Sequence, residues 1–393
     1  MVYLNMTCVA PLRLISPLNM TLLSVFIFLR HGERTPVDRW MPKNDSREIW
    51  NCDSNDAIAP QMQSFARSNP SNPNSYTHRR YHSTLDPKLI PFPKNCAKGQ
   101  LTLDGMRQLK ELGAFYHDEL VLKRHFLPEY YDPNLVDFRA TYSDRAIRSL
   151  TSFLVGLYPN ADDPDEIITF LTGTLSGREP LNPDPYGCKD LQDAYEDFIS
   201  TDEFKERRDR AWEVHDELYK AIGLEKDHQN WQWIGDWLYS YYCNTNADLT
   251  ALIPKEVSDY SFEVAMNDTA YYSNGFFDKY RDIPAGPIFR LLYEAIDKRL
   301  SGESQTKFSV FSAHDTTIAA ILAYFGHANM RGIAPYRSHL AVEMYQSDHG
   351  PMLRFSLNGE VITINGQDMI SLANLRYMTV NSVKKCIYDN EIH

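Results

Sequence analysis

Residues 26–36, Phe26-Ile27-Phe28-Leu29-Arg30-His31-Gly32-Glu33-Arg34-Thr35-Pro36, set two guanidinium groups around an imidazole. Arginine offers planar, permanently charged donors that match the oxygens of a phosphate. A histidine between two of them can attack a bound phosphorus. Gly32 lets the backbone approach the anion, and Pro36 fixes the exit of the turn. Far downstream, His314-Asp315 precedes a second helical stretch. A helix N-terminus points free amides and positive potential at an anion, and an aspartic acid there can protonate a leaving oxygen. Alone, an Arg-His pair reads as a basic loop, and a His-Asp pair as a capping Asp beside a spectator. Together, each at the end of an apolar run, they argue for phosphate chemistry.

Both clusters need strands to bring them to one edge, because buried strands of α/β proteins present functional groups at their carboxyl ends. Leu22–Leu29 supplies one such run and Lys307–Ala313 the other. Helical spacing of Met106, Leu109, Leu112, Phe115 and Tyr116 predicts a helix over about 103–124. A short strand over Leu135–Arg139 leads to Ser143 or Asp144 as cap of a helix carrying Ala146, Ile147, Leu150, Phe153 and Leu154. Arg145 and Arg148 read there as helix-face charges. Residues 155–260 change character, with acidic clusters at 162–166 and 190–203, tryptophans at 212, 231, 233 and 237, and helical spacing in Leu191-Tyr195-Phe198 and Trp233-Leu238-Tyr241. A helix at 285–300 follows. Strands at about 340–346, 352–356 and 361–364 close the chain, with Asn358-Gly359 as a hairpin turn. The fold class is α/β: a mixed, mostly parallel sheet flanked by helices. Its core is drawn from 22–154 and 261–393, with a helical subdomain inserted at 155–260.

The 393 residues are 43% hydrophobic and 12% aromatic, a folded composition, and the formal charge is −12. That charge argues against nucleic acid or anionic membranes as partners. A local arginine cluster in a negative body points instead to a small anion in a pocket. The six cysteines form no CxxC pair, so no metal site is expected. Cys52 and Cys96 lie within the long polar stretch 37–100 and could staple it. Sequons at Asn5, Asn19, Asn44 and Asn267 agree with a secretory route. Residues 1–21 are apolar but broken by Pro11, Arg13 and Pro17, with no run long enough to span a bilayer. A truncated or mis-assigned start is the first expectation for them, and a degenerate signal peptide the second. A homodimer is left open.

The series Arg30-His31-Gly32-x-Arg34-x-Pro36, Leu101-Thr102-x-x-Gly105-x-x-Gln108-x-x-x-Leu112-Gly113 and His314-Asp315 resembles the histidine acid phosphatases, in the histidine phosphatase superfamily. The resemblance implies a phosphoglycerate-mutase-like core and a covalent phosphohistidine on His31. It also implies Arg30, Arg34, Arg139 and His314 around the phosphate, and Asp315 as proton donor. No metal or cofactor is implied, since arginines supply the positive charge. The implied substrates are small phosphomonoesters and the implied pH optimum is acidic. Cys188 resembles a family cysteine whose partner would here be Cys386. The partner implied for Cys243 falls near residue 339, where this chain has His339. Glu33 replaces the Asp of many acid phosphatases, and Arg-His-Gly-Glu also begins phosphoglycerate mutases. Arg34, Pro36 and the His-Asp pair follow the phosphatases. The stretches Glu48–Cys52 and Asn95–Thr102 resemble the secretory-pathway phosphatases that remove 2-phosphate from xylose, whereas the helical region resembles the prostatic and lysosomal type. The expected function is a broad acid phosphatase of the lysosome, Golgi lumen or extracellular space. The alternatives are a 2-phosphoxylose phosphatase and a catalytically silent phosphate-binding protein.

Overall fold

The computed structural model describes residues 7–37, 49–52, 96–160, 167–173, 179–183, 187–222, 231, 234–244, 255–328 and 332–387. Most of the polar stretch 37–100, the acidic cluster 162–166, Trp233, and the sequons at Asn5 and Asn44 lie outside them. At the centre is β1 (Leu22–Arg30). Its residues alternate between two apolar clusters: Phe26 and Phe28 face one, and Val25, Ile27 and Leu29 face the other. Both faces are thus buried, which is why the run reads as continuously apolar.

Around β1 stand β2 (Val136–Ala140), β3 (Leu171–Thr172), β4 (Phe308–Ala313), β5 (His339–Tyr345), β6 (Met352–Leu357), β7 (Glu360–Ile362) and β8 (Ile370–Ser371). The order is β3-β2-β4-β1-β5-β6-β7, with β8 against β6. Pairing is parallel from β3 to β1 and antiparallel from β1 onward, so the sheet is mixed. The β6–β7 turn uses Asn358 and Gly359, both at positive φ as a tight hairpin turn demands.

On one face lie α1 (Leu103–Tyr116), continued by a π-helical segment at His117–Lys123, and α2 (Asp144–Leu157). They bury Leu109, Leu112, Tyr116, Leu150, Phe153 and Leu157 on the sheet. Between β3 and β4 the chain forms α3 (Lys189–Ser200), α4 (Asp202–Ile222), α5 (Ile234–Cys243), α6 (Lys255–Ala270) and α7 (Asp282–Ser301). After α6 a π-helical turn, Tyr271–Gly275, leads into Phe276–Lys279. These helices share the second cluster with α8 (Asp315–Tyr324) and the sheet. A short α9 (Leu372–Met378) follows β8.

Three disulfides join Cys8 to Cys243, Cys52 to Cys96, and Cys188 to Cys386. The latter two are the pairs expected. Cys243 finds its partner near the start of the chain instead of near residue 339. The segment expected as a signal or mis-assigned start behaves, from residue 7, as part of the fold. Val9 bridges to Tyr336, and Ala10 and Ile15 are buried. The Arg13 carbonyl lies 3.0 Å from His339 Nε2. His339 therefore receives this strap.

Candidate active site

Strand register builds the site. Arg30 pairs with Ala313 across β1 and β4, so His31 and His314 leave the sheet at the same edge. Their ring centroids are 5.7 Å apart, edge to face. The two imidazoles share a cavity of about 520 Å³ with Arg34, Arg145, Asp236, Asp315 and Thr316.

His31 is buried, and its Nδ1 lies 2.8 Å from the Gly32 carbonyl oxygen. Only a protonated Nδ1 can make that bond, which leaves the Nε2 lone pair free. Burial, followed by the charges of Arg145, Arg34 and Arg30, holds the His31 pKa well below its ordinary value. Burial and the neighbouring guanidiniums thus favour the neutral imidazole. His314 is depressed by burial and the same arginines. Its Nδ1 faces Arg145 Nη2 at 3.5 Å and its Nε2 faces Thr141 Oγ1 at 2.9 Å. Arginine can only donate, so Nδ1 accepts and Nε2 carries the proton toward Thr141.

Four guanidiniums compete for this edge, and they separate cleanly. Arg30 is fully buried, donates through Nη1 to the Ala334 carbonyl, and holds Asp315 Oδ2 3.2 Å from Nη2. Arg34 forms a two-pronged pair with Asp236 and reaches Ser240 Oγ at 3.4 Å. Arg139, expected as the third phosphate ligand, pairs instead with Glu179 at 3.2 Å and does not line the cavity. It stands in register with Phe311, two rungs short of Ala313, which leaves it roughly 7 Å behind the edge. Arg145, read as a helix-face charge, lines the cavity instead. Ser143 caps α2 and sets Arg145 in its first turn, at the carboxyl edge of β2. Burial, and then the charge of Arg34, lower the Arg145 pKa to about 10, so it stays protonated. The signal for it is the cap: a capped helix leaving a strand end puts its first-turn residues at the sheet edge. Arg30 Nε, Arg34 Nε and Arg145 Nε are buried donors without a hydrogen-bond acceptor among the described residues, as are Arg139 Nε and the Nε atoms of Arg124, Arg299 and Arg354 away from the cavity; of these only Arg34 and Arg145 line it. Such donors suit an anion.

The loop carrying these groups is clamped by the second motif. Thr102 caps α1, donates its N–H to the Glu33 carbonyl at 2.9 Å, and brings Oγ1 3.1 Å from Glu33 Oε1. Gln108 Oε1 accepts the Glu33 N–H at 2.9 Å. A Cβ built on Gly32 would fall 2.3 Å from the Gly105 oxygen, and one on Gly105 would fall 2.2 Å from the Glu33 oxygen. Only glycine fits either place. Glu33 itself does not line the cavity; its carboxyl lies among Thr102 and Asn244, which donates from Nδ2 at 3.3 Å. Burial, then the charge of Asp104, push its pKa up to about 8, against the Thr102 hydrogen bond. Glu33 is thus a neutral strut of the loop.

Several elements flank the pocket. Asp315 opens α8, its Oδ1 accepting the Thr316 N–H at 3.0 Å. Asn182, Pro183, Tyr195, Tyr272, Ser273, Phe276, Phe277 and Ile333 complete the outer wall. The Tyr195 and Tyr272 hydroxyls are 3.0 Å apart.

A family profile described as histidine phosphatase superfamily (branch 2) matches residues 21–358. The chain belongs to branch 2 of that superfamily. Its match spans both strand ends that make the cavity. The chain is 24% identical over 359 residues to counting factor 60 of Dictyostelium discoideum, covering 88% of this chain and 82% of that one. It is 25% identical over 349 residues to a probable acid phosphatase of Schizosaccharomyces pombe, covering 81% and 71%. It is 21% identical over 365 residues to human 2-phosphoxylose phosphatase 1, covering 89% and 73%. The fold is similar to that of Hafnia alvei phytase (TM-score 0.57, 14% identity, 95% of this chain and 100% of that one). It is also similar to a Bifidobacterium longum multiple inositol polyphosphate phosphatase (TM-score 0.56, 12% identity, 96% and 98%).

Proposed function

We propose that the protein hydrolyses phosphate monoesters through a phosphohistidine on His31, with Asp315 as proton donor. One observation carries this reading: His31, whose Nδ1 is tied to the Gly32 carbonyl, lines the same cavity as Arg34, Arg145 and Asp315. In the first step the Nε2 lone pair forms a bond to phosphorus as the ester P–O bond breaks. Asp315, in its acid form, gives its proton to the leaving oxygen. In the second step water attacks the phosphohistidine, the P–N bond breaks, and the Asp315 carboxylate takes the proton. Arg34 and Arg145, which line the cavity, and Arg30, which does not line it and reaches it through its ion pair with Asp315, supply the positive charge for the equatorial oxygens, and His314 bonds Arg145. Arg139 leaves the proposed phosphate ligands and Arg145 takes its place.

The outer wall supports esters bearing a single phosphate. Among the described residues lining the cavity, Arg34 and Arg145 are the only Lys or Arg side chains, and the rest of the wall is largely aromatic or uncharged. An aryl or neutral sugar group fits it better than further phosphates. The Cys52–Cys96 link and the human relative favour phosphorylated xylose as a second reading. The three disulfides and that relative favour a secretory-pathway setting.

The test is hydrolysis of an aryl phosphate from about pH 4 to 8, beside a 2-phosphoxylosyl oligosaccharide. His31→Ala should abolish turnover. Asp315→Asn should slow poor leaving groups far more than good ones, because only poor ones need the proton. Phosphate binding without turnover at any pH would support the silent alternative.

A further inference from the structure

Arg30 is held from behind by groups distant in sequence. The Tyr336 ring lies 4.5 Å beneath its guanidinium carbon and the Tyr239 ring 5.2 Å away. Arg30 Nη1 reaches the Tyr239 hydroxyl at 3.4 Å, and that hydroxyl donates onward to the Cys8 carbonyl at 3.2 Å. Tyr239 and Tyr336 are themselves buried.

Both tyrosines are tied to the strap at residues 8–10. Tyr336 donates its N–H to the Cys8 carbonyl and accepts the Ala10 N–H, each at 2.8 Å. Arg337, the next residue, bonds the Ala10 carbonyl through its side chain and gives its N–H to the His31 carbonyl at 3.3 Å. Tyr239 and Cys243 are one helical turn apart on α5, and Cys243 is the residue bonded to Cys8. The disulfide, the bridge and the hydroxyl chain thus converge on the underside of one guanidinium.

We infer that Tyr239 is a positioning residue for Arg30, and that the strap at residues 8–10, locked by Cys8–Cys243, holds it in place. This rests on the phosphatase reading, in which Arg30 supplies positive charge for the phosphate oxygens. A guanidinium must be fixed within a fraction of an ångström to pair with the equatorial oxygens of a transferring phosphoryl group. Arg30 sits on a sheet edge where its own strand ends, so its backbone alone does not set that orientation. The tyrosine pair sets it together with the Ala334 carbonyl and Asp315, and the strap sets the tyrosines.

The experiment is a double-mutant cycle on the intact, oxidised chain, read as kcat/KM on an aryl phosphate and as competitive inhibition by inorganic phosphate. Tyr239→Phe keeps the ring and removes the hydroxyl; it should lower kcat/KM and weaken phosphate inhibition roughly 3- to 10-fold, the loss of one hydrogen bond. Cys8→Ser with Cys243→Ser should do more, by up to about 100-fold. In an Arg30→Ala background Tyr239→Phe should have no further effect, because its target is gone. A Tyr239→Phe effect that persists without Arg30 would show ordinary structural damage and overturn the inference. So would an unchanged Tyr239→Phe enzyme beside an active wild type, which leaves the phosphatase reading standing. A wild type without turnover removes both.

Discussion

The imidazoles of His31 and His314 meet edge to face 5.7 Å apart because Arg30 and Ala313 are paired across β1 and β4. One rung of slippage would turn one of the two side chains to the other face of the sheet. The register is fixed on both faces, since neighbouring residues of β1 serve different apolar clusters. The chemistry is therefore held in place by core packing.

Arg145, which lines the cavity, and Arg139, which pairs with Glu179 instead, give a direct prediction. Arg145→Ala should lower kcat/KM by about 100- to 1000-fold, the usual loss for one donor to transition-state charge. Arg139→Ala should leave turnover within about tenfold of wild type and appear in stability instead. Removing it strips Glu179 of its ion pair, a loss of about 1–3 kcal/mol. Parallel kinetics and thermal melts decide the ranking; the opposite order would return Arg139 to the site.

Acid should weaken the fold through the two histidines. Each has a folded pKa well below the ordinary 6.5. Below that value the unfolded chain takes up protons that the native state refuses, so their stability contribution is full above 6.5 and lost as pH falls. His31→Asn should therefore lose less Tm than wild type between about pH 7 and 5. Inorganic phosphate, binding only the folded arginine cluster, should raise the wild-type Tm across this range.

Glu33 should act in the opposite direction. Its carboxyl is raised from 4.5 to about 8, so it stays protonated in the native state while the unfolded chain ionises. Its contribution is present below 4.5 and is lost as pH climbs toward 8. Glu33→Gln keeps the neutral shape and removes that slope. Melts at about pH 5 and pH 8 should show the variant gaining on wild type only at the higher value. An equal difference at both would mean Glu33 is ionised in the fold.

Substrate charge is the last test. Inositol hexakisphosphate would bring further phosphates against Tyr195, Tyr272 and Phe276 and near the carboxylate of Asp236. Its kcat/KM should fall at least about tenfold below that of an aryl monophosphate, since burying unpaired or like charges costs several kcal/mol. Comparable turnover of the two would place additional cations at the mouth.

Much of this architecture is legible in the sequence. Apolar runs ending in charged residues mark β1 and β4, and helical spacing marks α1 and α2, because burial on two faces or one leaves a period in the sequence. The Thr102-Gly105-Gln108 pattern is visible there, yet its reason is not: all three press on the Glu33 loop. Spacing alone does not rank Arg139 against Arg145; the Ser143 cap points to Arg145, but how far β2 rises beside β4 decides the choice. Asp236, Tyr239 and Tyr336 leave no signal at all. They reach the site from a helix and a loop placed by tertiary packing, with ordinary neighbours in sequence.

The pairing of Arg30 with Ala313 has a temporal side. All the residues between Arg30 and Phe308 must be synthesised before β4 can dock on β1, and contacts so distant in sequence form slowly. Neither half of the pocket is competent beforehand. Turnover is thus a reporter of finished folding: a nascent or half-assembled molecule cannot strip phosphate from anything it meets.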